Sequence, residues 1–560
     1  MLARIMVSMV AVFLLCSVQL TLADQPRIGF LVVAPDRGYL GNQEVTRLVD
    51  DFRKSYPAAL AFVGRDAAGG LDEYGVYLTR AIDALRKFHV AEIVAIPLFL
   101  SDADPLLRRV VPDLGRYTGD LPVQWASTMA HDHLIRQIVL DRVETLSQHP
   151  ESERLILVGV GATDEQSESN LKGDIDRLLR YIERYKPFRE TEAVVYYDRA
   201  AEHAEQKNQA AKARLLNQAP KDGRTLLVPA FIGSKYDHTM SLTAWFTRQF
   251  KQTQIVYQPD ELLPHPNVLL WLRKTANRYT PVTASDIGVI VMPHGASQPY
   301  NDAVENVIRP LTASYPVEMA YGMGDPLIIQ SAVSRLEERG IRRIIFVRMY
   351  ALDHQVKPVT DYVIGLIDQP PAMRHDGDHG THAPAPIQIR TSALFSSVGG
   401  YEHDPAMASI HHKRILELSR QPANESVFLV AHGESTDEGN TKWLDLMDQH
   451  IARLRQDPHC AQLKSIKALT VREDWPEKRD KAVAEARTAI EEAGKQGRVI
   501  VIANRLYGAG PYRRMFEGLA YEMNDKGLLD PLLTEWLERE VARISADILK
   551  SASGRSPNTK

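Results

Sequence analysis

Cysteine is almost missing from this chain: two residues, Cys16 and Cys460, in 560. A disulfide framework is therefore excluded, and a mature form that lost Cys16 could not close even one internal bridge. Basic excess is also missing. Lys and Arg number 67 against 71 Asp and Glu, a net charge of −4, so no electrostatic footprint for nucleic acid is present. Aromatic residues are 7% of the chain, which gives no stacking platform for single strands. What remains is an ordinary mixture, 44% apolar and 25% charged, which excludes a disordered chain, a collagen and a multi-span membrane protein. At about 150 residues per domain the length implies three or four compact units, and a chain this long can rely on its apolar core alone.

The N-terminus stands apart. Residues 1–4 carry a positive charge, 5–15 are apolar, and Thr21-Leu22-Ala23 ends on a small residue. This is the pattern of a secretory signal, residues 1–23, cleaved after Ala23, which places the mature chain outside the cytoplasm, in the periplasm, as a soluble protein. The alternative is an uncleaved membrane anchor. Leu15 before Cys16 is too large for lipoprotein processing.

Four short apolar runs recur: 27–34 (RIGFLVVA), 154–160 (RLILVGV), 287–292 (IGVIVM) and 427–431 (VFLVA). Their starts lie 127, 133 and 140 residues apart. Each is followed by a loop and an amphipathic helix, as with Val45, Leu48, Val49 and Phe52 in the first unit or Val304, Val307, Ile308 and Leu311 in the third. A second apolar run returns in each unit, at 93–100, 225–232, 344–351 and 499–508, with a shorter strand and a second helix between. Strand alternating with helix implies a parallel sheet covered on both faces. The fold class is α/β: tandem three-layer units of the flavodoxin-like kind, at 24–150, 151–280, 281–420 and 421–550, with a polar, disordered tail at 551–560.

Ligands of open parallel sheets sit beyond the carboxyl ends of the strands, where strand order reverses. The residues just after the recurring strands are therefore the candidates. The third unit carries Pro293-His294-Gly295-Ala296-Ser297 after its first strand and Asp353-His354-Gln355-Val356-Lys357 after the later one. The fourth carries Ala431-His432-Gly433-Glu434-Ser435. The first two units have Pro35-Asp36 and Val160-Gly161 in place of a histidine. If the first and third strands of a unit are neighbours, about 4.8 Å apart, His294 and His354 leave the same edge and face one cleft. Imidazoles there can ligate borderline divalent metals and exchange protons near neutrality.

The strand–HG(A/E)S–helix opening, the strand–DHxVK element and the closing segments 123–143 and 387–415 resemble the sirohydrochlorin cobaltochelatase family of class II tetrapyrrole chelatases. The resemblance spans nearly the whole mature chain as four half-modules and is fullest in the third. It implies a chelatase-like fold and insertion of a divalent metal (Co²⁺, Ni²⁺ or Fe²⁺, as substrate) into a cyclic tetrapyrrole, without ATP or an organic cofactor. It assigns catalysis and metal binding to His294 and His354, and a lesser metal-binding role to His432. The chain departs from the family where Gln298 replaces an arginine and where Met323, with Asp325 nearby, replaces an acidic residue. The first two units lack the histidine pair and read as degenerate.

Three further features stand outside the resemblance. Residues 374–382 (RHDGDHGTH) read either as a metal-delivering loop or as a solvated insertion. His411 and His412 diverge on a helix and read as surface residues. Cys460 reads as structural. Two other functions fit the same organisation: a periplasmic metal- or tetrapyrrole-binding protein without turnover, and an exported two-lobed solute-binding protein. Oligomeric state is not encoded in any of these patterns.

Overall fold

The protein is described by a computed structural model over residues 27–64, 72–217, 223–371 and 386–553. The signal-like segment 1–23, the histidine-rich stretch 374–382 and residues 554–560 lie outside the described residues.

Each unit builds its own four-stranded sheet. The first contains β1 (Ile28–Pro35), β2 (Ala58–Val63), β3 (Glu92–Pro97) and β4 (Val123–Trp125). The second contains β5 (Arg154–Ala162), β6 (Glu190–Tyr197), β7 (Thr225–Pro229) and β8 (Ile255–Tyr257). The third contains β9 (Ile287–Met292), β10 (Val317–Met319), β11 (Arg343–Arg348) and β12 (Leu394–Gly399). The fourth contains β13 (Glu425–Ala431), β14 (Ser465–Thr470), β15 (Arg498–Asn504) and β16 (Glu522–Asn524). All four sheets share one order, second–first–third–fourth, with parallel ladders. This is the flavodoxin-like order shortened by one strand, so the expected α/β class and its four-fold repetition hold.

Parallel strands need a crossover, and the crossover helices cover both faces, so the strands are apolar on both sides. In β1 the period of two sends Phe30, Val32 and Ala34 into one core and Leu31 and Val33 into another. The second core is closed by Leu78, Ile82 and Leu85 of the helix Asp72–Arg86. The first is shared with Leu155, Leu157, Val195 and Val228 of the second repeat.

The chain divides into two compact units, one reaching to Pro281 and including Arg390–Leu394, the other formed by Val282–Ile389 and Phe395–Ser551. Each unit holds two repeats that exchange their closing helices. In the first unit His133–Leu146, which ends repeat one, packs on the helix Glu165–Glu183 and on β7 of repeat two. Pro266–Tyr279, which ends repeat two, packs on the helix Tyr39–Arg53 and on β3 of repeat one. Tyr56 Oη donates to Asn277 Oδ1 across this contact at 2.7 Å. In the second unit the helix Ala406–Leu416 of repeat three packs on Asp437–Leu454 and β15 of repeat four. In return Thr534, in the helix Pro531–Ser553, donates to Val307 O at 2.8 Å. The repeats are therefore not self-contained: each takes part of its helical cover from its neighbour.

Candidate active site

In every sheet the order reverses between the first and third strands, and their following loops open onto one crevice. β9 and β11 are neighbours, with Met292 opposite Arg348. His294 follows Met292 by two residues and His354 follows Arg348 by six, so both leave the same sheet edge.

His294 is exposed, and its Nδ1 lies 2.7 Å from the Gly295 carbonyl oxygen. A carbonyl only accepts, so Nδ1 carries the hydrogen and Nε2 presents its lone pair. Gly295 has φ +78°, and a Cβ there would come within 3.1 Å of the Tyr321 side chain. Only glycine takes this turn without strain.

His354 is half exposed, with Nε2 3.8 Å from Glu434 Oε1. Gln355 Nε2 donates to the same oxygen at 2.6 Å, while Gln355 Oε1 accepts from Leu352 N at 3.0 Å. The next residue, Val356, caps the helix Lys357–Val363 at φ +50°. A β-branched residue in the left-handed region costs on the order of 1–2 kcal/mol, so the surrounding contacts hold this loop in a specific shape.

Glu434 belongs to the fourth repeat, so the carboxyl edges of the third and fourth sheets face one another. Tyr300 and Tyr507 make a second contact across this junction, ring edge to face, at 5.7 Å. Burial pushes the Tyr300 hydroxyl up to about 12.

His432 stands where His294 stands. Its Nδ1 lies 2.9 Å from Gly433 O, and Gly433 has φ +87°. Its other nitrogen differs. Nε2 is 2.9 Å from Asp474 Oδ2 and 3.7 Å from Glu473 Oε1. Glu473 in turn pairs with Arg505. The ring lies near-parallel to Trp443 at 6.4 Å and edge-on to Trp475 at 5.6 Å. Two equivalent histidines thus differ in access: His294 offers a bare nitrogen, and His432 is covered by carboxylates.

Asp325, the acidic residue near Met323, is occupied elsewhere. It caps the helix Pro326–Glu338, accepting from Leu327 N at 2.8 Å and Ile328 N at 3.3 Å. Beside the exposed Asp325 stand two exposed apolar side chains, Met323 in the loop at 57% and Leu327 in the helix at 79%.

Register fixes the equivalent positions in the first unit. Val33 pairs with Pro97 and Val158 with Pro229, as Met292 pairs with Arg348, and two residues on stand Pro35 and Val160. Both line a cavity of about 900 Å³ that also receives Tyr196, Trp245, Arg199 and Arg248. The Arg199 guanidinium sits 5.8 Å from the Trp245 ring centre. His265 caps the helix Pro266–Tyr279 and meets Asp141 at 3.1 Å. Asp237, before His238, closes a turn onto Thr239 N at 2.6 Å.

Glu434 was legible in the HGES motif without its partner being so. Asp474 and Tyr507 carried no signal, because they enter the site from loops whose lengths follow no period. One surface reading is corrected. His411 is fully buried, bonded through Nε2 to Asn504 Oδ1 at 3.2 Å, whereas His412 keeps a part-exposed side chain, with Nε2 3.2 Å from Asp457 Oδ1.

No protein-family profile matches the sequence, and no curated protein matches it. Solved structures resemble parts of the fold. SirB from Bacillus subtilis with Fe³⁺ matches at TM-score 0.34 and 13% identity, over 45% of this chain and 95% of its own. The sirohydrochlorin chelatase SirB from Bacillus subtilis subspecies spizizenii, in complex with cobalt, matches at 0.32 and 14%, over 45% and 96%. A multi-domain Deinococcus radiodurans protein, described as similar to chelatases with two additional novel domains, matches at 0.30 and 14%, over 46% and 54%. Among the described residues no helix is long and apolar enough to cross a membrane.

Proposed function

We propose that the chain is an exported metal chelatase that inserts Co²⁺, Ni²⁺ or Fe²⁺ into a cyclic tetrapyrrole of the sirohydrochlorin type, a step belonging to cobalamin-like biosynthesis. The reading rests on one observation: a histidine with a bare Nε2, His294, shares a sheet edge with a second histidine, His354, whose ring abuts the carboxylate of Glu434. Metal entry replaces two pyrrole N–H protons, so the site must hold a cation and accept protons. His294 Nε2 is the metal-holding group. His354 takes a proton, and Glu434 stabilises the imidazolium that results. His432, with Asp474 at its Nε2, is a second and lesser metal-holding position. The exposed Met323 and Leu327 supply an apolar rim for a flat macrocycle. The chemistry needs neither ATP nor an organic cofactor.

A second reading, binding without turnover, is favoured for the first unit. Its cavity keeps the crevice but places Pro35 and Val160 where a ligating histidine would stand, and lines it with aromatic rings and two arginines. Three aspartates, Asp36, Asp104 and Asp198, line it beside the arginines, so the site suits a flat polar ligand and has no metal-holding group at the histidine position.

The test is to mix the purified mature protein with sirohydrochlorin and each metal and follow the absorbance spectrum against a control without protein. Metallation accelerated by the protein is the expected result. Rates equal to the control for all three metals would leave the binding reading in its place.

A further inference from the structure

We propose that His412, Asp457 and Cys460 form a three-ligand site for a thiophilic divalent cation such as Zn²⁺ or Co²⁺, at the amino edge of the fourth sheet. One ligand atom from each residue lies within 4.8 Å of the other two. Ligand atoms about 2.0–2.3 Å from a tetrahedral Zn²⁺ stand roughly 3.3–3.8 Å from one another, so small side-chain rotations close the site. His412 Nε2 is 3.2 Å from Asp457 Oδ1 but out of line for a hydrogen bond, and this shielded nitrogen has no hydrogen-bond partner. The capping of the helix Pro458–Ala461 explains why Asp457 and Cys460 are close, since Asp457 Oδ1 accepts from His459 N at 2.9 Å and Cys460 N at 3.0 Å. It does not explain His412, which arrives from the separate helix Ala406–Leu416 with its nitrogen turned inward.

The charge balance favours a dication. A neutral imidazole, a carboxylate and a thiolate sum to minus two, which the metal cancels. Cys460 is a free, buried cysteine and enters the site as a thiol. Binding forms the metal–sulfur bond and releases that one proton to solvent. A water completes the tetrahedron. The helix Asp437–Leu454 runs from the carboxyl edge of the sheet back to its amino edge before Asp457, so this site lies at the opposite end from His294, His354 and His432. It stands independently of the chelatase reading.

The experiment is a Co²⁺ titration of the metal-stripped full chain, read in the near-ultraviolet and visible. A thiolate-to-cobalt charge-transfer band with tetrahedral d–d bands is expected, displaced by Zn²⁺. C460S should abolish the band. H412A and D457N should each weaken binding by at least ~10-fold. C16S and the H294A/H354A double variant should keep the band, which separates this site from the N-terminal cysteine and from the strand-end histidines. Circular dichroism checks that each variant is folded. Absence of the band, its survival in C460S, or H412A and D457N both titrating like the unaltered chain would overturn the assignment.

Discussion

Lowering the pH from 7 to 5 should destabilise the second unit by about 2 kcal/mol through His411 alone. The ring is fully buried on the helix Ala406–Leu416. Asn504 of β15 meets its Nε2 at 3.2 Å, the His450 ring lies 5.7 Å away on Asp437–Leu454, and Glu402 and Arg414 complete the charged surroundings. Burial is the main cause that holds His411 down to about 4, with the Glu402 charge opposing it. In the unfolded chain a histidine titrates near ~6.5. Between those values the unfolded chain takes up a proton that the folded chain refuses. Stability is therefore whole above ~6.5, falls as pH falls through the window, and stops falling on this account below the folded value. At ~1.4 kcal/mol per pKa unit the full loss is about 3 kcal/mol, of which about 2 is reached by pH 5. Glu402 adds to acid sensitivity lower down: burial raises its carboxyl, but the His450 hydrogen bond, the His450 and His411 charges and the Asn504 hydrogen bond together outweigh that and hold it below its ordinary value. The measurement is hydrogen exchange of the Ala406–Leu416 segment at both pH values, corrected for intrinsic rates, in the unaltered chain and in His411→Gln. The variant should lose about 2 kcal/mol less protection on acidification than the parent. Equal losses in the two proteins would refute the reasoning.

Three other outcomes are expected at the site. His294→Ala and His354→Ala should each cut metal insertion at least ~10²-fold, His432→Ala less, and Pro35→Ala or Val160→Ala hardly at all, as read from initial rates on variants shown to be folded. Glu434→Gln should slow insertion about fivefold, the worth of ~1 kcal/mol for a charge pair near 4 Å at the dielectric of water, since His354 is half exposed; an unchanged rate would remove Glu434 from the proton-accepting pair. Asp325→Ala should cost about 1 kcal/mol of stability through the lost helix cap, seen as a lower denaturation midpoint, while Asp325→Asn should retain most of it.

The sheets were legible because strands buried on both faces are written as unbroken apolar runs, and these start at Ile28, Arg154, Ile287 and Glu425, each within two residues of expectation. The strand-end histidines were legible for the same reason: placing a strand also places the residues at its carboxyl end. The destination of the closing helices was not. Periodicity in His133–Leu146 reports that the helix is buried and says nothing of which sheet covers it. The surface reading of His411 failed on the same point: Ser409, Lys413 and Leu416 carry the exposed side of this helix, while His411 falls on the side that packs on the fourth repeat. Asp325 illustrates the opposite limit: a carboxylate near a crevice was visible in the sequence, but its engagement by two backbone amides was not.

The exchange of closing helices crosses the wiring between repeats. His411 is encoded with the third sheet, yet it grips Asn504, the last residue of β15, one position before the Arg505 that pairs with Glu473 beside His432. A substitution in the third repeat's last helix is thus felt first at the fourth repeat's crevice. The pair, and not the single repeat, is the packing module of this chain: one repeat cut out alone would leave a sheet short of cover and a helix without the sheet it packs on. The pairs can differ at their crevices, as Pro35 and Val160 in one and His294 and His432 in the other show, but within a pair each repeat constrains the other.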